Sequence, residues 1–308
     1  MFDAVFSVDD FMAAFGAAPS DRLTIEGEAG KYDFSYRRLN QSERDAVILG
    51  VLKKLDSFTQ VGAHRHGIWT DAWGDLARRY YESGGDLAML DPPFMGATPT
   101  LRINGDYAIP RIPQFETHWF RVLRRWLFAT YLTDVKRVAE FGCGSGFNLV
   151  TLAQIQPDAE LIGLDWAQPV VDLMDDIGRR HDVRLTGRRF DFFNPDPDFR
   201  FGAGDTAMTF CALEQTGERY TIFLDWLMSR APDLVVSMEP ALEFYDETSL
   251  FDHLTIRYHT GRKYLNGYYS AIRRLEAEGR VEILKQKRLG FGSLYHEGYS
   301  LLIWRPKR

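Results

Sequence analysis

The chain has 308 residues, with 37 Lys and Arg against 43 Asp and Glu, a formal charge of −6, and 45% hydrophobic side chains. That length and balance fit a globular protein of about two domains and exclude disordered and collagen-like classes. An acidic total with only local basic pairs, such as Arg124-Arg125 and Arg188-Arg189, argues against nucleic acid as the principal partner, because phosphate binding needs clustered cations. No apolar run reaches the roughly 18 to 20 residues that a bilayer requires, so no membrane partner is expected. Residues 1–20 carry three aspartates, and no Lys or Arg precedes Arg22, so no secretory signal with a basic start is expected. The two cysteines, Cys143 and Cys211, set up neither a disulfide framework nor a metal signature, and a cytoplasmic location is expected.

In chain order, residues 1–113 read as helices and irregular, aromatic-rich loops. Asn40 followed by Glu43 is an N-cap with its acidic N3 partner, and Val47, Ile48, Val51, Leu52 and Leu55 repeat at helical spacing behind it, predicting a helix over 41–55. From Gly62 to Pro113 the turn formers Gly84-Gly85, Asp91-Pro92-Pro93 and Asn104-Gly105 predict mostly loop. Phe115, Trp119, Val122, Leu123, Trp126 and Leu127 predict a bridging helix over 114–132. Beyond it, short apolar runs alternate with helical segments. The strands expected are Arg137–Phe141, Glu160–Asp165, Arg184–Asp191, Thr206–Leu213, Leu234–Glu239, Val281–Leu289 and Tyr299–Trp304. The last two stand too close for a parallel crossover and should pair as an antiparallel hairpin at one edge. Between them and the fifth strand, Glu247–Glu278 carries one apolar helical stripe that includes Tyr258 and Tyr268. The fold class expected is α/β: a Rossmann-like seven-stranded sheet over residues 114–308, preceded by a lid and substrate-selection segment, 1–113.

The stretch Val138 to Asn148 is the most informative. A strand delivers Glu140-Phe141-Gly142-Cys143-Gly144-Ser145-Gly146 to a tight turn, and a helix begins at once with its partly positive end toward any ligand. A dinucleotide fingerprint would need glycine at 147, where Phe147 stands; the spacing is E-x-G-x-G-x-G. In this motif the sequence resembles the class I S-adenosylmethionine-dependent methyltransferases. The resemblance extends to Asp165 and Trp166 at the second strand end, to Asp191 and Phe192 at the third, and to Cys211 through Glu214-Gln215 at the fourth. It implies S-adenosylmethionine as cofactor, with Asp165 on the ribose hydroxyls and Asp191 with Phe192 at the adenine. Glu140, Gly142, Gly144, Gly146, Asn148 and Cys211 complete the implied site, and Tyr107 is placed as a cover. Gln215 stands where many relatives carry histidine, so no metal is assigned.

For the chemistry itself, Glu214, Glu239 and His259 are the candidate bases. Glu243 and Tyr245, and the hairpin loop with Tyr295, His296 and Glu297, are further substrate-side patches. Surface positions are favoured for His259 and Tyr264. His64-Arg65-His66 places two imidazoles on one side of an extended chain near Asp71 and Asp75, a poor metal signature for lack of a clear third ligand. The function expected is methyl transfer to an O or N atom of a small-molecule acceptor. Two alternatives stay open: an enzyme of the same fold that uses the sulfonium without transferring methyl, and a non-catalytic cofactor-binding subunit. The acceptor and the oligomeric state are not set by these residues.

Overall fold

The computed structural model describes residues 2–93, 95–96 and 98–307. Before the core lie strands β1 (Ala4–Val5), β2 (Ser35–Arg38), β3 (Leu101–Ile103) and β4 (Asp106–Pro110) and helices α1 (Val8–Phe15), α2 (Arg22–Ala29), α3 (Gln41–Lys54), α4 (His66–Glu82) and α5 (Phe115–Tyr131). The core follows as β5 (Arg137–Phe141), α6 (Phe147–Ile155), β6 (Glu160–Asp165), α7 (Gln168–Arg180), β7 (Leu185–Arg189), β8 (Asp205–Phe210), α8 (Tyr220–Arg230) and β9 (Leu234–Glu239). Helices α9 (Leu250–Arg262) and α10 (Tyr268–Ala277) then lead to β10 (Val281–Arg288), β11 (Phe291–Gly292) and β12 (Ser300–Pro306).

The seven-stranded sheet has the order β10-β12-β9-β8-β5-β6-β7. Strands β7, β6, β5, β8 and β9 run parallel, whereas β12 is antiparallel to both β9 and β10. The hairpin therefore sits at the edge, as its short connection requires. From β5 the chain builds outward to β7, then returns to the other side of β5 with β8. This reversal opens a crevice at the carboxyl ends of the strands, the place where open α/β sheets bind ligands. Helix α5 packs its buried stripe, Trp119, Val122, Leu123, Trp126 and Leu127, into the core.

Two expectations for the N-terminal part are corrected. The region 62–113 is not mostly loop, because α4 fills 66–82 with Trp69, Trp73, Leu76, Ala77 and Tyr80 along one stripe. Gly67 and Gly74, poor helix formers, obscure that pattern in the sequence; at Gly74 the helix backbone passes close to Pro169 of α7. The region also contributes strands. Asn104 and Gly105 both take positive φ, +50° and +84°, the two-residue turn that matches the twist of the β3-β4 hairpin. This hairpin joins a second sheet of order β1-β2-β4-β3-β11, whose last strand comes from the C-terminal loop. The stripe over 247–278 is likewise broken into α9 and α10, with Lys263 in the left-handed region at φ +54°.

Among the described residues, no helix is long and apolar enough to cross a membrane.

Candidate active site

The crevice holds a cavity of about 410 Å³, a size typical of small-ligand sites. Its inner end is built on the β5 turn. The Gly142 and Cys143 amides donate to the Leu164 carbonyl at 2.7 and 3.1 Å, which ties the loop to the end of β6. Gly144 takes φ +52°, and a Cβ there would stand 2.7 Å from the Trp73 ring of α4. Only glycine lets the backbone turn here beneath the indole. Gly146 serves a different purpose. It caps α6 and packs on Met174, away from the cavity lining.

Glu140, Asn148 and Arg124 form a buried chain beneath this turn. Asn148 donates to Glu140 Oε1 at 2.6 Å, and Arg124 donates to Asn148 Oδ1 at 3.4 Å with its guanidinium 4.1 Å over the Phe147 ring. Glu140 Oε2 is buried without a partner in the protein. Burial pushes the Glu140 carboxyl up to about 8, outweighing Asn148 and Arg124, and pulls Arg124 down to about 9. A carboxyl raised in the folded state adds stability at pH values below its ordinary 4.5, and that contribution is lost as pH rises through about 8. Glu140→Gln should therefore raise the melting temperature of the ligand-free protein by a few degrees at pH 8.5 and far less at pH 5. Differential scanning calorimetry at both pH values checks this; an equal shift at the two would refute it.

Asp165 closes β6. Its Oδ1 accepts the Ala167 amide at 2.9 Å and its Oδ2 the Gly144 amide at 3.3 Å. Burial lifts its pKa to about 6, with these amides opposing. Trp166 beside it lines the cavity, near the rings of His66 at 5.0 Å and Phe193 at 6.3 Å. After β7, Phe192 lines the cavity but Asp191 does not. The Asp191 carboxylate accepts the Phe193 amide at 2.8 Å and forms a turn, so the expectation that it reaches a ligand is corrected. Tyr107 is corrected too. It is fully buried on β4, packed on Phe251 and paired with Arg102 at 3.3 Å, and does not cover the site.

The loop after β8 carries Cys211, at φ +50°, then Glu214 and Gln215, all lining the cavity. Of the three candidate bases, only Glu214 does so. Glu239 is wholly buried behind this loop and accepts the amides of Ala212, Leu213 and Glu214, each at 3.2 Å. It shapes the loop, and its own carboxyl is pushed up to about 8 by burial and by Glu214. His259 is buried, not at the surface, and hydrogen-bonds His296 at 3.0 Å; His296, not His259, lines the cavity. Burial and two nearby arginines hold His296 down at about 3. Glu214 is pushed up to about 7 by burial, against Gln215, Arg262 and Arg65. Gln215 Nε2 donates to Glu214 Oε1 at 2.9 Å, and Arg65 Nη1 donates to Gln215 Oε1 at 2.9 Å, a relay that orients the carboxyl.

Arg65, Trp69, Trp73, Glu116, Arg262 and Tyr299 also line the cavity without having stood out as ligand contacts in the sequence. Trp69 and Trp73 were visible as a helical i, i+4 pair. Arg65 lay inside the two-histidine stretch, which is a turn running into α4 rather than an extended chain. Tyr264, expected at the surface, is buried and lines the cavity. Of the two other patches, only His296 reaches it. Glu243 accepts the Ser270 amide, Tyr245 bonds the Glu297 backbone, and the Glu297 carboxylate is paired with Arg288 at 2.6 Å.

The parallel five strands, the reversal after β7 and the antiparallel strand inserted between β9 and β10 decide the architecture. The core is a Rossmann-like α/β fold with a seven-stranded mixed sheet. No family model and no curated protein matches the chain. Solved structures similar to it include the [4+2]-cyclase SpnF, at 14% identity over 62% of this chain and 82% of that one, with a TM-score of 0.46. Magnesium protoporphyrin IX methyltransferase from Synechocystis PCC 6803, with bound S-adenosylhomocysteine, is similar at 17% identity over 60% and 80%, TM-score 0.45. Human N-acetylserotonin methyltransferase, in complex with S-adenosylmethionine, is similar at 15% identity over 62% and 55%, TM-score 0.41.

Proposed function

We propose that this chain is a cytoplasmic S-adenosylmethionine-dependent enzyme that methylates an O or N atom of a small molecule. One observation carries the reading: a single cavity joins the glycine turn, Glu140 and Asp165 at one end to an aromatic chamber containing Glu214 at the other. The inner end suits the cofactor by its donor set. Glu140 Oε2 is a buried acceptor lacking a donor, which an ammonium group satisfies. Asp165 offers carboxylate oxygens to a pair of ribose hydroxyls, and Phe192 offers an apolar face for a purine ring. Gly142 and Gly144 leave room for close approach.

When bound there, S-adenosylmethionine supplies a methyl group on a positively charged sulfur. The chain's residues contribute alignment first, since holding the acceptor in line with its target removes much of the barrier to a displacement. Glu214, kept by Gln215 and Arg65, accepts the proton that a hydroxyl acceptor loses. Residues 1–113 act as cover and selector, with α4 laying Trp69 and Trp73 over the cofactor turn and excluding water.

Isothermal titration of the purified chain with S-adenosylmethionine and S-adenosylhomocysteine, followed by mass spectrometry of an acceptor panel, tests the proposal. Binding of both cofactor forms and a product heavier by one methylene are expected. Failure to bind either would overturn the reading. Consumption of the cofactor without a methylated acceptor would favour the non-methylating alternative, and binding without turnover the subunit role.

A further inference from the structure

Away from Glu140 and Asp165, the cavity wall carries two cations, Arg65 and Arg262. They come from segments far apart in sequence that are locked together. The Val61 amide donates to the Arg262 carbonyl at 2.9 Å, and Gly217, at φ +58°, passes so close to the Lys263 carbonyl that a Cβ would lie 2.7 Å from it. Thus the turn before α4, the end of α9 and the loop after β8 meet at one point.

Among the described residues, neither guanidinium forms an ion pair, and the Nε atoms of both are buried without a partner. Arg65 spends one nitrogen on the Gln215 side-chain oxygen, while Arg262 lies 4.9 Å over Tyr264 and 5.8 Å over Tyr258. Burial, together with Arg262, pulls Arg65 below its ordinary value. Of the cavity's acids, Glu116, Glu140, Asp165 and Glu214, only Glu214 offsets this charge, and one carboxylate cannot balance two cations. Glu116 is held by Gly96 and Tyr299, Glu140 and Asp165 belong to the glycine turn, and Glu214 is itself pushed up to about 7. Paired guanidiniums with unused donors are the arrangement that recognises a carboxylate, and the adjoining walls are the rings of Trp69, Tyr258 and Tyr264.

We infer that the acceptor is an organic acid, a carboxylate on a flat, apolar body, and that Arg65 and Arg262 hold its carboxylate. The inference rests on the methyl-transfer reading for the word acceptor, but the anion site stands on its own geometry. A carboxylate is also present on the amino-acid tail of S-adenosylmethionine, and the experiment separates the two sources.

Benzoate, indole-3-acetate and 4-hydroxyphenylacetate are titrated against their carboxamides, with and without S-adenosylhomocysteine, using tryptophan fluorescence. At least one acid is expected to bind about tenfold or more tighter than its amide, the worth of one charge-assisted hydrogen bond. In Arg262→Gln that preference should fall to about twofold or less, while Arg262→Lys keeps part of it and S-adenosylhomocysteine binds both variants as it does the natural chain. Retained cofactor affinity doubles as the folding control. Equal binding of acids and amides, or no acid binding at up to about 10 mM, would overturn the inference. So would a variant that loses S-adenosylhomocysteine affinity but keeps the acid preference, since Arg262 would then serve the cofactor's own tail. If the natural chain fails to bind S-adenosylhomocysteine, the cofactor reading falls, and the acid preference measured without it still decides the arginine site.

Discussion

Asp165→Asn should weaken S-adenosylhomocysteine binding by roughly 30- to 100-fold, measured by isothermal titration, while leaving the fold intact. The carboxylate offers ribose hydroxyls a charged acceptor, and hydrogen bonds to charged groups are worth about 1.5–3 kcal/mol each. Asparagine keeps one oxygen and presents an amide NH2 donor where the second acceptor stood, so one of two such bonds is lost and one donor faces another. The variant should not be less stable when empty. Burial raises the Asp165 pKa to about 6, above its ordinary 3.8, so its stabilising contribution is complete below the ordinary value and lost as pH rises through 6. At pH 7.5 the protein therefore bears the cost of a buried charge that the amide lacks. The Gly144 and Ala167 amides, which now bond the carboxylate, set the opposing cost. The natural chain carries its own control. Affinity should fall more steeply once pH drops below about 6, because ribose hydroxyls need the ionised form, and the variant should lack that added slope. A natural chain whose affinity is constant from pH 5 to pH 8 would remove Asp165 from the site.

The second large effect concerns Glu214. With an acceptor identified, Glu214→Gln should lower kcat by about 10²- to 10³-fold for a hydroxyl nucleophile, with KM within a few-fold of the natural value. A base works best with a pKa near the working pH, and Glu214 is placed at about 7 by burial, opposed by Gln215, Arg262 and Arg65. The sign follows from its role. Glu214 must be ionised to accept a proton, so the natural rate rises with pH through about 7 and levels above it. The variant should show no such limb. Loss of activity with the limb intact would assign the base elsewhere and leave Glu214 a purely structural part of the loop. His296 is poorly suited to the task because its pKa of about 3 gives little driving force for proton uptake at neutral pH. Glu239 is occupied by three backbone amides.

The core was readable from local pattern because the parallel strands β5, β6, β8 and β9 are buried on both faces. Arg137–Phe141, Glu160–Asp165 and Leu234–Glu239 fall where their apolar runs place them, and the other four expected strands are displaced only at their ends. The glycine turn was readable for a similar reason, since strand, turn and helix are contiguous in sequence. The N-terminal part was not. Its β3-β4 hairpin gains its sheet partner β11 from a residue pair nearly two hundred positions later, and α4 hides its stripe behind two glycines. No local period encodes a pairing of that range.

The division at the site follows the same line. Glu140, Gly142, Gly144, Asn148, Asp165, Phe192, Cys211 and Glu214 sit at strand ends, where sequence order alone predicts a common crevice, and they line one cavity. Sequence by itself determined the sheet, the turn and the residues bordering it, because these depend on short-range periodicity and on backbone freedom at single positions. Only the tertiary structure decided which carboxylates are spent on backbone amides, as Glu239 and Asp191 are, and which face open space, as Glu214 does. It alone brought Arg65 and Arg262 together from opposite ends of the chain. Burial and pairing are properties of the packed molecule, so the charge state of an acid or a cation is written in its surroundings and not in its neighbours along the chain.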